Sequence, residues 1–492
     1  MSLTARILTY LVGLLLSWLF AWRISSVQGR QALFLAVSYI LYASWGSWFV
    51  GVLLMSSLMN YALGKYVRRH PSAQRLWLGI VCNVVLLGFF KYLPGAGHAV
   101  FHHSAIAAVS RIVMPIGMSF WTFQALSYLL DLYREEDLDP SLLEFCLYMA
   151  FWPTVLSGPI CRLPQLLPQF RQHWAPAWND VANGVQRICI GMLMTSVARV
   201  LRDGLLPGHG VDAAFAQTAA YLGGLDVWIL IISYGFELFL EFCGYSHLVI
   251  GAARIFGFRL QENFDRPYLS TTPSMFWTRW HMSLSFWIRD YVFFPLATLR
   301  PERWWRNLSL VIAMFIFGLW HRGSILFMLW GAYQGVLLVM HRLYQQSSVR
   351  WNLRLPGYLL TPLSWAVTFA AVSVGWIFFR ADTFTQAVVM LRAIVTPADY
   401  FHISLPASLC WVTLLVGMGY FLVVLGGRIL DHWASGEATY PVDDRDRVSH
   451  SMMILARNRW VWVAPVVVVL TFYFFVLFHR QVTSVAPMLY RF

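Results

Sequence analysis

Apolar runs long enough to cross a bilayer recur from one end of this chain to the other. They lie near residues 7–22, 31–62, 76–92, 113–131, 184–201, 227–250, 307–320, 325–341, 359–379, 407–427 and 461–478. A helix needs roughly 20 such residues to span the hydrocarbon, so the pattern predicts an all-α integral membrane protein with about eleven crossings. The first run follows Arg6 and resembles the core of a secretion signal. It leads into Phe20-Ala21-Trp22-Arg23, however, with no small-residue cleavage site, and is expected to stay as the first transmembrane helix.

Composition agrees. The chain of 492 residues is 59% hydrophobic and only 12% charged, against about 25% charged in soluble domains. Its formal net charge of +13 would suggest a nucleic-acid partner in a soluble protein. In a membrane protein, loops on the cytoplasmic side collect Lys and Arg, and Lys65-Tyr66-Val67-Arg68-Arg69-His70 reads as such a loop. Arg445, Arg447, Arg457 and Arg459 read as another, so no nucleic acid is expected. The six cysteines form no C-x-x-C pair and lie mostly in apolar runs, where cysteine acts as a small hydrophobe. No zinc spacing, P-loop or dinucleotide glycine pattern is present, so no metal site is expected.

The expected organisation is a membrane core over residues 1–430, a polar and cytoplasmic loop over 431–460, and a last transmembrane helix with a short tail over 461–492. Pro140 ends the polar stretch that starts at Asp131 and is placed to stop one element and start the next. Phe151 to Arg162 carries two prolines and a glycine in an apolar setting. Irregular backbone at membrane depth survives only inside protein or beside a water-filled cavity, so a re-entrant or broken helix is expected there. Residues 257–300 mix polar and aromatic groups too densely for a lipid-facing span.

Two polar islands carry the candidate chemistry. The first is Phe276-Trp277-Thr278-Arg279-Trp280-His281-Met282-Ser283-Leu284-Ser285-Phe286-Trp287-Ile288-Arg289-Asp290-Tyr291. Charged groups at mid-bilayer cost on the order of 3 kcal/mol on insertion scales, so they usually face a polar path. As one helix, this segment would put His281, Ser285 and Arg289 on a common face, opposite Trp280, Leu284, Trp287 and Tyr291. Such a helix either lines a buried funnel or lies flat at the headgroups. The second island is Gly318-Leu319-Trp320-His321-Arg322-Gly323. His321 is either a hydrogen-bonded structural histidine at a helix end or a general base, since imidazole exchanges protons near neutral pH. Arg162, Arg279 and Arg289 either hold a phosphate or carboxylate with forked hydrogen bonds or extend to the headgroups. Glu241, His247 and Asp265 add nearby polar groups, and Glu241 is a candidate partner for an arginine.

Taken together, these blocks resemble the membrane-bound O-acyltransferase (MBOAT) family. The resemblance rests on Arg279-Trp280-His281 with its Trp-Ile-Arg-Asp-Tyr framing, Pro115 to Tyr128, Ser157-Gly158-Pro159-Ile160, Phe242-Cys243-Gly244-Tyr245-Ser246, Gly318-Leu319-Trp320-His321 and Phe379-Arg380-Ala381, in the family order. Within the family the chain is similar to the bacterial polysaccharide branch, which serves alginate and cellulose acetylation. Teichoic-acid D-alanyl transfer is a cousin. The resemblance implies a ring of roughly eleven transmembrane helices plus re-entrant helices around a central tunnel. It implies catalytic roles for His321 and His281, with Arg162, Arg279, Ser285, Arg289 and Arg322 as donor-binding candidates. It also implies acetyl-CoA as a donor substrate with no tightly bound cofactor. A periplasmic acetyltransferase partner and polysaccharide synthesis machinery follow in the same way.

Three positions depart from the family pattern. His247 stands where an aspartate is common, Arg322 where the residue after the histidine is commonly glycine, and Ala297-Thr298 where a double glycine is frequent. Arg322, if close, would favour the neutral form of His321. The expected function is transfer of an acetyl group across the bacterial inner membrane toward an exopolysaccharide hydroxyl. The alternatives are a polytopic transporter or channel, because polar intramembrane residues also mark transport paths, and an inert scaffold for a synthase.

Overall fold

A computed structural model describes residues 3–93, 113–172, 176–216, 222–351, 356–397, 400 and 403–435, of which 3–9, 11, 348–351 and 427–435 are described by backbone alone. The expected loop over 431–460 and the expected span over 461–478 fall almost wholly outside these residues. All the regular structure among the described residues is helical. Seven helices are long and apolar enough to cross a membrane: Ser47–Arg69, Ala73–Lys91, Trp178–Asp203, Gly224–Ile255, Ile325–Ser347, Gly357–Arg380 and Ala407–Gly426. The protein is a multi-pass membrane protein.

The run expected over 31–62 is two helices, Val27–Ala43 and Ser47–Arg69, separated by Ser44-Trp45-Gly46. Unbroken, it would be about 48 Å long at 1.5 Å per residue, well beyond a hydrocarbon layer of about 30 Å. The run expected over 113–131 is Met118–Tyr133, which has only 16 residues and is buried along almost its whole length by protein. Helix starts are capped by local side chains. Ser26 accepts the Gly29 N–H at 3.0 Å. Ser141 and Glu144 form a reciprocal capping box directly after Pro140.

The described chain divides into two compact units. Among the described residues, the first comprises those up to 184 together with 249–262, and the second those of 185–248 and 263–435. In the first unit, the expected irregular segment is present: the helix Leu142–Ala150 ends, and 151–162 continues as buried turns. Its backbone is tied to the surrounding protein. Trp152 donates its N–H to Ser38 Oγ at 3.1 Å, and Gln261 donates to the Ile160 carbonyl at 2.6 Å. Gly117 has a left-handed φ of +79°, and a Cβ there would run into the Val155 and Leu156 carbonyls, so only glycine fits. Phe34, Phe151, Phe170, Phe256 and Phe258 pack edge to face around this segment. Asn60 and Asn83, both fully buried, exchange amide hydrogen bonds of 3.0 and 2.7 Å between Ser47–Arg69 and Ala73–Lys91. In the same unit Arg171 grips Glu144 with both Nε (2.7 Å) and Nη2 (3.0 Å), which holds the Glu144 carboxyl below its ordinary range.

In the second unit, residues 257–300 resolve into short pieces, as their mixed composition implies: a 3₁₀ turn Pro267–Leu269, helices Pro273–Trp277 and Met282–Ile288, a π-helical turn Arg289–Phe293, and Phe294–Ala297. Thr298, in the segment that departs from the family's double glycine, closes the last piece by donating its hydroxyl to the Phe294 and Pro295 carbonyls. Glu241 does pair with an arginine. Arg202 bonds Glu237 at 3.1 Å through Nε and Glu241 through Nη2, and all three side chains are largely buried. Sharing one guanidinium offsets the cost of burying the carboxylates.

Candidate active site

The helix Arg303–His321 ends on His321 and is followed after three residues by Ile325–Trp351. These two helices approach until their backbones touch. A Cβ on Gly318 would meet the Phe327 carbonyl, one on Gly331 the Met314 carbonyl, and one on Gly335 the Val311 backbone. Gly331 and Gly335 form a small-xxx-small pair, which lets membrane helices pack without a side chain between them. The four-residue spacing of Gly331 and Gly335 is the sequence signal of this close packing. The close approach encloses the imidazole of His321 in rings: Phe317 (5.0 Å between centroids), Trp320 (4.7 Å), Phe327 (6.2 Å), Trp330 (5.5 Å) and Phe379 (5.3 Å). His321 is 8% exposed. Arg322 leaves this cage with extended backbone, and its side chain is exposed to the surroundings.

The region of His281 differs from the expected single helix. His281 has φ +42° and ψ +54°, a left-handed conformation that ends the preceding turn, and Met282–Ile288 starts beyond it. His281, Ser285 and Arg289 therefore do not form a stripe along one helix. The backbone cause is local. Helix Pro273–Trp277 is capped by Thr272 and runs out by Thr278, so the chain must turn before it can start again. A left-handed non-glycine residue costs on the order of 1–2 kcal/mol, and histidine is among the residue types enriched there.

Asn263, which sequence reasoning did not single out, offsets that cost. Its carbonyl accepts the Met282 N–H at 2.8 Å. Its Oδ1 accepts the Ser283 Oγ hydroxyl at 2.7 Å and the Ser283 N–H at 3.3 Å, and it lies 3.3 Å from His281 Nδ1. Its Nδ2 donates to Ser246 Oγ at 3.2 Å. The next two N–H groups, of Leu284 and Ser285, go to the His281 carbonyl, so the helix start is fully hydrogen-bonded. At a net gain of about 1 kcal/mol per hydrogen bond, this set exceeds the backbone strain. Nothing local marks Asn263 in the sequence, because the residues it serves are about twenty positions away. Phe242 packs its ring edge to face with His281 at 4.6 Å. His281 lies outside the seven candidate spans, and burial alone pushes its imidazole well below its ordinary pKa, so it is neutral.

The remaining candidates are scattered. Ser285 donates its hydroxyl to the Trp280 carbonyl at 2.8 Å and so serves the backbone. Arg289 pairs with Asp290 at 2.7 Å and lies over Phe286, with its side chain 48% exposed. Arg279 is half-buried, and its carbonyl accepts the Asp265 N–H at 3.0 Å. Arg162 belongs to the first unit, at the start of Leu163–Arg171. His247 follows Ser246, the hydroxyl that receives Asn263. The two histidines share one aromatic body. Ring contacts lead from His321 to Trp330, then to Trp376 (6.4 Å) and to Trp280 (5.1 Å), the residue before His281.

Comparison with known proteins places this arrangement. The profile of MBOAT, the membrane-bound O-acyltransferase family, matches residues 52–381 and so includes both histidines. The chain is 33% identical over 391 residues to a protein of Azotobacter vinelandii named "Probable alginate O-acetylase AlgI", covering 77% of this chain and 75% of that one. It is 28% identical over 408 residues to the peptidoglycan O-acetyltransferase of Helicobacter pylori, covering 75% of each. It is 26% identical over 350 residues to the teichoic acid D-alanyltransferase of Bacillus subtilis, covering 68% of this chain and 83% of that one. These relatives decide between an enzyme and a transport path in favour of the enzyme. The chain belongs to the membrane-bound O-acyltransferase family and is an O-acyltransferase.

Proposed function

We propose that this protein moves an acetyl group from acetyl-CoA on the cytoplasmic side of the bacterial inner membrane toward a hydroxyl of an exopolysaccharide, with a periplasmic acetyltransferase as partner. The observation that carries the reading is the buried imidazole of His321, held in an aromatic cage within the family-matching region. The names of relatives support the class of acceptor, since alginate, peptidoglycan and teichoic acid are all polymers that carry hydroxyl groups. Polysaccharide synthesis machinery is the expected neighbour of such an enzyme.

In this reading His321 is the general base. It takes the proton of the attacking hydroxyl as that oxygen bonds to the thioester carbonyl carbon, and returns it to the departing thiolate of CoA. His281 orients the reacting groups. The rings around His321 keep bulk water from the thioester, and holding both reactants in line supplies effective molarity. Arg279, Arg289 and Arg322, all of the second unit, are the candidate contacts for the CoA phosphates. Arg322 is the best placed of these, next to His321 and exposed.

The test is reconstitution of the full chain in proteoliposomes with acetyl-CoA labelled in its acetyl group. Label that appears on a soluble polysaccharide or on the partner supports the reading. Release of label only as free acetate, with every envelope polymer and partner tried, defeats the assigned acceptor.

A further inference from the structure

We propose that Asn263 is a positioning residue that fixes the proton of His281 on Nδ1, so that Nε2 of His281 accepts a hydrogen bond from an acceptor hydroxyl other than the one His321 deprotonates, instead of donating one to the thioester carbonyl. This rests on the acyl-transfer reading above and assigns His281 one side of that reaction.

The argument starts from donors whose identity is certain. The Ser283 backbone N–H can only donate, and it points at the side-chain amide of Asn263 at 3.3 Å. The atom facing it must therefore be the oxygen, because the NH₂ group would set donor against donor. The same orientation lets Nδ2 donate to Ser246 Oγ at 3.2 Å. His281 Nδ1 then lies 3.3 Å from an oxygen that can only accept. A ring nitrogen carrying a lone pair would be repelled there, so Nδ1 carries the proton and Nε2 the lone pair. Asn263 is completely buried, and its side-chain amide is bonded at both ends, to the Ser283 hydroxyl at 2.7 Å and to Ser246 Oγ at 3.2 Å.

The charges around the pair leave this assignment in place. On the helix behind, Glu241 is bound to Arg202, and His247 follows Ser246. On the loop, Asp265 pairs with Arg266 at 3.0 Å, while Arg279 precedes His281 by two residues. Burial disfavours the imidazolium, so the neutral form with a lone pair on Nε2 is the one that meets substrate. A neutral imidazole offering a lone pair pairs with an O–H group and gives nothing to a developing oxyanion.

The test compares wild type with Asn263→Asp, Asn263→Ala and Asn263→Asp/His281→Gln, all as full-length protein in proteoliposomes with labelled acetyl-CoA. A carboxylate at 263 accepts the same hydrogen bonds but stabilises the imidazolium. The protonation of His281 in Asn263→Asp, followed by nitrogen NMR, is expected to move up by about one pH unit or more. The shifted signal should vanish when His281 is also Gln. Asn263→Ala is expected to lose about 10²-fold in kcat while KM for acetyl-CoA stays put, because the fault is on the hydroxyl side. An unmoved His281 titration in Asn263→Asp, or wild-type kcat in Asn263→Ala, overturns the proposal. Turnover is not the only readout. Nitrogen NMR of the histidine-labelled chain, with His281→Gln to assign the signal, should show the δ tautomer in wild type. An ε tautomer overturns the role of Asn263 whether or not acetyl transfer is seen. Wild-type protein with the δ tautomer but no acetyl transfer defeats the donor assignment and leaves the role of Asn263 standing.

Discussion

His321 stands at the end of a 19-residue helix among five aromatic rings, whereas His281 stands in a turn between two short helices and is held through the amide of Asn263. Both imidazoles are buried and both belong to the second unit. The first is placed by packing: glycines bring two helix backbones together, and bulky rings fill the space beside them. The second is placed by hydrogen bonds, which specify orientation and tautomer as well as position. A group that orients one reactant benefits from such a fixed tautomer.

The largest expected effect tests the first half of this contrast. His321→Ala should insert and fold but lose about 10²- to 10⁴-fold in acetyl transfer, the usual contribution of a general base. A folded variant with wild-type transfer of label would remove His321 from the mechanism and leave only a packed histidine. Next in size is the cage itself. Trp330 is 1% exposed, and Trp330→Ala should cost about 3 kcal/mol or more of stability, read as an earlier thermal transition in detergent. A small shift would mean that the rings around His321 do little of the holding.

The cradle should be far less sensitive to a single deletion. Ser283→Ala removes the 2.7 Å hydroxyl bond to Asn263 and is expected to cost about 1 kcal/mol, with the Ser283 N–H still in place. A loss as large as that of Trp330→Ala would show that the two sites are not held differently. Smallest of all, Arg322→Gln should leave stability within about 0.5 kcal/mol, because the side chain is exposed. Its effect is expected in KM for acetyl-CoA. An unchanged KM would remove Arg322 from the donor site.

Much of the fold was legible before the coordinates. Burial in lipid is governed by composition over about 20 residues, so the spans from Trp178 and from Gly224 could be read directly. The buried turns at 151–162 were legible from two prolines and a glycine in an apolar run. The break at Ser44-Trp45-Gly46 was not, since an apolar run shows that a segment is buried and leaves open where it turns. At the site, both histidines stood out as polar residues in apolar surroundings. The helical stripe through His281, Ser285 and Arg289 was a wrong inference from correct spacing, because one left-handed residue at 281 resets the helix phase.

The order of residues alone determined that this chain lives in a membrane, that its polar islands are exceptional, and that His281 and His321 lie in those islands. These properties depend on the transfer free energy of short stretches, which neighbours in sequence decide. Only the tertiary structure decided that Asn263 faces His281, that Gly318 lies against Gly331, and that Arg289 turns outward onto Phe286 and Asp290. A hydrogen bond or a backbone contact acts over about 3 Å, and which distant residues come that close is set by the whole packing arrangement.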